Sequence, residues 1–206
     1  MHLHLVKALD DVGHPIGATP AGDVGHDVQF YKSDAYLTSV VADFLAAGVR
    51  VGQPLIVIAT APHRIAFARE LRSRGLDIDE ILSGREATWL DARETLAAFM
   101  EAGHPNPELF NATVGSVFDA VLRKRHYLVV RGYGEMVDLL VQDGNLEGAM
   151  LLEGLWNDLA TKYAYSLLCG YSLENFLHEA GPQNLQRVCA HHNHSLPPEG
   201  YIEATA

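Results

Sequence analysis

A chain of 206 residues with a formal net charge of −11 and a pI near 5.3 is long enough to bury one sizeable core without disulfides or a structural metal. The acidic balance argues against a nucleic-acid surface, which needs locally dominant Lys and Arg; the densest basic stretch, RKRH from Arg123 to His126, ends a predicted helix, where cations complement the dipole. Two cysteines, Cys169 and Cys189, make no disulfide framework and fit a reducing cytoplasm, the N-terminus lacks a signal-peptide core, and no run of about 18 apolar residues predicts a membrane span.

Residues 1–25 mix Gly, Pro, His and Asp without a sustained period and are expected to form a mobile leader. From His26 the chain alternates short β-rich runs with amphipathic stretches, the pattern of a single α/β domain with a mainly parallel sheet flanked by helices on both faces. The first strand is His26 to Tyr31; Ser33 or Asp34 caps a helix whose apolar face is Tyr36, Leu37, Val40, Val41, Phe44 and Leu45. The second strand is Pro54 to Thr60, followed by a helix with Pro62 at its start and Gly75 past its end. A third strand, Ala87 to Asp91, precedes a short helix around Leu96 to Met100 and a long one from Glu108 to Arg125. The run YLVVRGYGEMVDLL supplies the fourth strand, Leu146 to Tyr163 a further helix, and Tyr165 to Tyr171 the fifth strand. A last helix, QNLQRVCAHHNH, is expected to run into Pro197-Pro198.

In open parallel sheets the loops leaving the carboxyl ends of the strands surround the ligand crevice. There the sequence places Tyr31 and Asp34, His63 and Arg64, Asp91, then Arg131, Tyr133 and Glu135, and finally Tyr171. With His26, these residues except Asp91 form the candidate ligand-binding set, although each alone also fits capping or solvation of a strand end. Gly132 and Gly134 allow a sharp turn or close ligand approach beside Glu135, a carboxylate able to orient a base or a water. GYGEMV lacks the third glycine of a dinucleotide fingerprint, and no G-x-x-x-x-G-K-[ST] phosphate loop occurs anywhere. The loop GHPNPE, Gly103 to Glu108, is a candidate lid.

A second cluster lies in the tail CAHHNH. On a continuous helix His191 and His194 share one face near Cys189, and His26 or His178 would be needed to complete a metal set. Complementing the dipole of a helix end explains those histidines equally simply, and Cys189 fits a small buried apolar residue. Trp156 continues the face of Leu152 and Leu159 and is expected in the core.

The blocks HDVQFYKSDAYL, PLIVIATAPHR, WLDARETLAAFM, RGYGEMVDLL, LEGLWNDLATKYAYSLLCGY and VCAHHNHSLPPEGY resemble, in order, the MEDS family, a sensory domain of methanogens, methylotrophs and the dichloromethane regulator DcmR. The resemblance spans His26 to about Tyr201 and implies a RecA-like or KaiC-like three-layer fold. It further implies a ligand-sensing module for small organic or hydrocarbon-like signals, working with a histidine kinase or transcription regulator. On that view FYKSDAYL stands at the phosphate-loop position and RGYGEM where a catalytic or metal-supporting acid follows a strand. The sequence shows neither a helix-turn-helix nor a kinase domain, so output is expected through a separate partner or a homo-oligomer. Three functions follow as expectations: a non-enzymatic sensor, a degenerate nucleotide-binding protein with Glu135 over a water, and a metal or redox sensor using Cys189, His191 and His194.

Overall fold

The computed structural model describes residues 19–20, 22–83, 87–123 and 129–200; the leader up to residue 18, the basic run beyond Arg123 and the first two residues of the fourth predicted strand lie outside the described residues. The sheet grows from runs that are apolar at every position. In β2 (Leu55–Ala59), Leu55, Val57 and Ala59 enter one core cluster while Ile56 and Ile58 enter the other. A strand alternates its side chains between faces, so an unbroken apolar run marks burial on both sides. Besides β2 the sheet contains β1 (Gly25–Tyr31), β3 (Ala87–Asp91), β6 (Val130–Gly134), β7 (Tyr165–Ser172) and a two-residue β8 (His194–Ser195). Its order is β3-β2-β6-β7-β1-β8, with every pairing parallel.

Helices cover both faces. On the first lie α1 (Asp34–Arg50), α2 (Ala61–Ser73) and α3 (Ile78–Ser83), whose Leu37, Val41, Phe44, Leu45, Phe67, Leu71 and Ile78 pack on Leu55, Val57 and Leu168. The second carries α4 (Ala92–Ala97), α5 (Pro107–Phe110), α6 (Ser116–Leu122), α7 (Met136–Gln142), α8 (Leu146–Leu159) and α9 (Gly181–Cys189). Their Leu96, Phe110, Phe118, Leu140, Trp156 and Leu185 meet Val28, Phe30, Ile58 and Leu167. Connections toward the β3 edge use the first face and connections toward the β8 edge the second. Changing direction and face together keeps one crossover hand. As a result β2 exits to the first face while its neighbour β6 exits to the second, and β1 and β7 diverge in the same way.

Several elements differ from the sequence reading. The long helix holds a π turn, Asn111–Gly115, between α5 and α6, and the short helix sits earlier, at Ala92–Ala97, because Asp91 accepts from Arg93 N and Glu94 N and caps it. The expected lid is a hairpin of β4 (Met100–Glu101) and β5 (His104–Pro105). Ala102 and Gly103 turn it with φ of 48° and 83°, Asn145 Nδ2 donates to Gly103 O at 2.6 Å, and Asn106 caps α5 through Glu108 N and Leu109 N. The last helix stops at Cys189, because the chain is then drawn onto β1: Asn193 N donates to His26 O, and Asn193 Oδ1 accepts from His26 N at 2.7 Å.

Candidate functional site

The carboxyl edge of the sheet gathers one group of the expected residues. Glu135 follows β6 and is the N-cap residue of α7, yet its side chain does not cap its own helix. It reaches across the divergence of β2 and β6, where Oε1 accepts from Thr60 N at 2.5 Å and Oε2 contacts His63 Nδ1 at 2.6 Å and accepts from the Tyr133 hydroxyl at 2.9 Å. The carboxylate thus ties the two exits together, which is why it stands where a buried strand ends. The tyrosine reaches it because β7 carries Gly170 beneath the ring, where a Cβ would lie 2.5 Å from the Tyr133 oxygen. His63 Nε2 lies 3.5 Å from Asp34 Oδ1, and its ring stacks on Phe67 with centroids 5.6 Å apart.

A second tie joins β1, β7 and α7. Asp138 accepts from Ser172 N at 2.9 Å, Asn175 Nδ2 at 2.6 Å, Gln142 Nε2 at 3.0 Å and the Tyr31 hydroxyl at 3.3 Å. Between the ties lies a cleft of about 470 Å³ lined by Tyr31, Asp34, Thr60, His63, Glu135, Asp138 and Ser172 among others. Burial opposes the charge on His63, but the hydrogen bond and field of Glu135 and the charge of Asp34 raise its pKa; burial likewise opposes the charge on Glu135, but His63 and the Thr60 amide lower it. Both shifts favour the pair as imidazolium and carboxylate. Asp138 is driven up to about 6, chiefly by burial, with Glu135 adding to the rise against its hydrogen-bond donors. Two carboxyl groups pushed in opposite directions in one cleft are a recognised mark of a functional site.

Four expected residues are not part of this group: Arg131, Arg64, Tyr171 and His26, which lies at the start of β1 at the opposite edge and faces Glu153. Arg131 is second in β6, far from the strand's end, and buried: its Nε donates to Phe44 O at 3.0 Å, its Nη1 to Thr19 O at 3.1 Å and Ser166 Oγ at 3.2 Å, and its guanidinium lies 3.6 Å over Phe44. Gly48 in α1 leaves room for its stem, since a Cβ there would meet Arg131 Cγ at 2.8 Å. Arg131 thus anchors Thr19, which is buried although it falls in the expected leader. Arg64 pairs with Asp91 at 2.8 Å and does not line the cleft. Tyr171 points into the second-face core, because β7 runs one residue further and leaves Ser172 at the rim. The hairpin expected as a lid contributes no residue to the cleft lining.

The other cluster is closed. From β1, His26 faces α8 together with Cys169 and Tyr171 of β7, and Glu153 of α8 stands among them with no exposed surface. His26 Nε2 lies 3.2 Å from Glu153 Oε2 and 3.3 Å from Cys169 Sγ; Glu153 Oε1 accepts from the Tyr171 hydroxyl at 2.7 Å and lies 3.4 Å from His192 Nε2. Ligand atoms of His26, Glu153, Cys169 and His192 all fall within 4.8 Å of one another. Burial drives His192 down to about 3, so it is a neutral imidazole; burial also opposes charge on His26, but Glu153 raises it. Burial opposes ionisation of Glu153 too, yet the facing imidazoles and the Tyr171 hydroxyl bring it down to about 2. Since His192 carries no charge at ordinary pH, His26 and Tyr171 do that work there.

The expected tail site is corrected accordingly. Beyond Cys189 the backbone is no longer helical, so His191 and His194 share no helix face: His191 is half-buried, while His194 belongs to β8 and pairs with Asp27 at 2.8 Å. His178 is exposed and apart, and Cys189 contacts Ser195 Oγ at 3.6 Å. Both cysteines are free and buried. The residue that enters the cluster from the tail is His192. A wider hollow of about 710 Å³ opens at the amino-terminal edge, lined by residues including Gly25, His26, Asn157, Tyr165 and Asn193. Two of its lining residues, His26 and His194, turn their rings toward the buried carboxylates of Glu153 and Asp27.

A parallel three-layer α/β domain with a charged crevice where its strand exits diverge has the architecture of the doubly wound folds. The profile of the MEDS family, the MEthanogen/methylotroph, DcmR Sensory domain, matches residues 25–193, and the chain belongs to that family. Its role is accordingly a sensory one in signalling. No curated protein and no solved structure matches the chain. Among the described residues no helix is long and apolar enough to cross a membrane.

Proposed function

We propose that the chain is a non-enzymatic sensor that binds a small polar organic molecule in the carboxyl-edge cleft and passes occupancy to a partner regulator or histidine kinase. The observation that carries this reading is the buried Glu135–His63 pair, 2.6 Å long, with Glu135 also holding Thr60 N on the opposite exit. A molecule that competes for either partner loosens or tightens the tie between β2 and β6. Such a ligand binds the tied and untied states unequally, which is the only way it can shift their balance.

The chemistry of the lining narrows the ligand class. Four acidic residues of the cleft lining, Asp34, Glu135, Asp138 and Glu174, outnumber the basic Lys32 and His63, which favours hydroxyl- or amine-bearing molecules over phosphates. At the start of α1, where a phosphate loop would present its amides, the Glu199 carboxylate already accepts from Lys32 N at 3.3 Å, Ser33 N at 3.0 Å and Ser33 Oγ at 2.9 Å. An internal anion at that helix end counts against a RecA- or KaiC-like nucleotide-binding protein acting through Glu135.

Isothermal titration with a panel of short alcohols and amines, run beside magnesium ATP, tests the reading. Saturable binding of a panel member is expected. In Glu135→Gln it should weaken roughly tenfold or more, the loss of one charge-assisted contact of about 1.5–3 kcal/mol. Magnesium-dependent ATP binding that disappears in Glu135→Gln would overturn it in favour of the nucleotide reading.

A further inference from the structure

We propose that His26, Glu153, Cys169 and His192 form a buried site for a divalent transition metal of the zinc class, with two imidazole nitrogens, a carboxylate and a thiolate as ligands. Four donors at bond lengths of about 2.0–2.3 Å around a tetrahedral ion stand roughly 3.4–3.7 Å from one another. The contacts here are 3.2 Å for His26 Nε2 to Glu153 Oε2, 3.3 Å for His26 Nε2 to Cys169 Sγ, 3.4 Å for His192 Nε2 to Glu153 Oε1 and 3.7 Å for Cys169 Sγ to Glu153 Oε2. The donors come from β1, α8, β7 and the segment after α9, and the fold already holds one ligand atom of each within 4.8 Å of the others.

The outer contacts fix which atoms face inward. His192 Nδ1 sits 2.8 Å from Val188 O, a carbonyl that can only accept, so Nδ1 carries the hydrogen and Nε2 presents a lone pair. That Nε2 is buried without a hydrogen-bond partner and lies 3.4 Å from a carboxylate oxygen, a second acceptor. Two acceptors facing each other at that distance call for a positive centre between them. His26 is held in the same manner. Its Nδ1 is 3.0 Å from Asn157 Oδ1, and Asn157 Nδ2 donates to His191 O at 3.1 Å, which sets the amide orientation and leaves Oδ1 as the acceptor. Histidines whose Nδ1 hydrogens are engaged by a carbonyl and an amide oxygen, beside a carboxylate steadied by a tyrosine hydroxyl, have the outer support typical of metal ligands.

Charge agrees with this composition. Two neutral imidazoles, one carboxylate and one thiolate cancel a divalent cation, leaving no net charge in a pocket whose four residues are all buried. Binding releases the Cys169 thiol proton to solvent, together with the His26 Nε2 proton where that ring is protonated beside Glu153. His26 and Asn157 also line the hollow at the amino-terminal edge, so a single layer of side chains separates the site from an entry path.

Titration of the untagged 206-residue chain with Co²⁺ tests the assignment. One equivalent should bind with the intense visible absorption of tetrahedral cobalt and a thiolate-to-metal charge-transfer band, and Zn²⁺ should displace it. Cys169→Ser should remove the charge-transfer band, and Asn157→Ala, which leaves all four ligands in place, should weaken binding roughly 10–100-fold. Should Cys169→Ser fail to fold, the wild-type charge-transfer band and its loss on adding Zn²⁺ decide the matter. A spectrum of hydrated cobalt throughout, with folded wild-type protein, overturns the proposal, as does tetrahedral binding unchanged by both Cys169→Ser and His192→Gln. The first of these results would leave His26 as the imidazolium partner of Glu153 in a metal-free cluster.

Discussion

The two polar clusters use the same materials, a histidine against a glutamate with a tyrosine hydroxyl behind it, at opposite degrees of enclosure. At the carboxyl edge the His63–Glu135 pair borders an open cleft and bridges two diverging loops. Around Glu153 the four ligand residues are all buried, contributed by β1, β7, α8 and the segment after α9. Position in the topology makes the difference: Glu135 lies past the end of β6, where neighbouring exits part, whereas Glu153 lies mid-helix over the centre of β7. An open pair can respond to a molecule arriving from solvent, while a sealed one can hold an ion or brace the fold.

Removing the sealed carboxylate should have the largest effect. Glu153→Ala is expected to cost about 3–5 kcal/mol, because His26 and Tyr171 lose their shared partner where water cannot replace it. Urea denaturation of the variant checks this, and a loss no larger than that of an exposed ion pair would remove the contrast between the clusters.

The open cluster should reveal itself through pH. Asp138 has its folded pKa raised from 3.8 to about 6, so the native state holds the proton more tightly than the unfolded chain. Its contribution is fully present below the unfolded value and is lost as pH rises from about 4 to about 6, on the order of 3 kcal/mol over that window. Asp138→Asn should flatten that slope in denaturation midpoints measured across the same range. His63, also raised, adds stability below its ordinary value that fades as pH climbs through the folded value, and Glu135, lowered, adds stability that is lost only in stronger acid.

A smaller perturbation separates geometry from charge. Gly170→Ala sets a methyl 2.5 Å from the Tyr133 oxygen and should cost about 1–3 kcal/mol by overpacking while turning the tyrosine away from Glu135. Denaturant midpoints give the cost, and a shifted titration of the His63 imidazole by NMR would register the altered pair. The smallest effect is expected at the hairpin. Asn106→Ala removes the cap of α5 and should cost about 1 kcal/mol without altering binding at the cleft, since the hairpin contributes nothing to its lining.

The sheet was legible because its strands are buried on both faces and so read as continuous apolar runs. The first-face helices were legible from one-sided spacing and from caps such as Ser33. The rim was legible only in part. Tyr31, Asp34, His63, Tyr133 and Glu135 do converge, but a strand end cannot be fixed to one residue from sequence, and a shift of one residue sends a side chain to the opposite face. That parity places Tyr171 in the core and Ser172 at the rim. Arg131 looked like an edge residue because GYG follows it, yet the strand pairs through Gly134.

The closed cluster was hidden for a different reason. CAHHNH has no breaker, so helical spacing singled out His191 and His194, while strand pairing with β1 ends the helix early and turns His192 inward. Two signals were available. Glu153 interrupts the apolar face shared by Ala149, Leu152 and Trp156, and His26 has the same strand parity as Val28 and Phe30.

Backbone NMR mapping of the labelled chain against the panel of short alcohols and amines is the most direct test of the sensory cleft. The account predicts saturable shifts centred on Thr60, His63, Glu135 and Ser172 that vanish in Glu135→Gln. Shifts centred instead on Ala160 to Tyr165 at the amino-terminal hollow, or none with any compound, would contradict it.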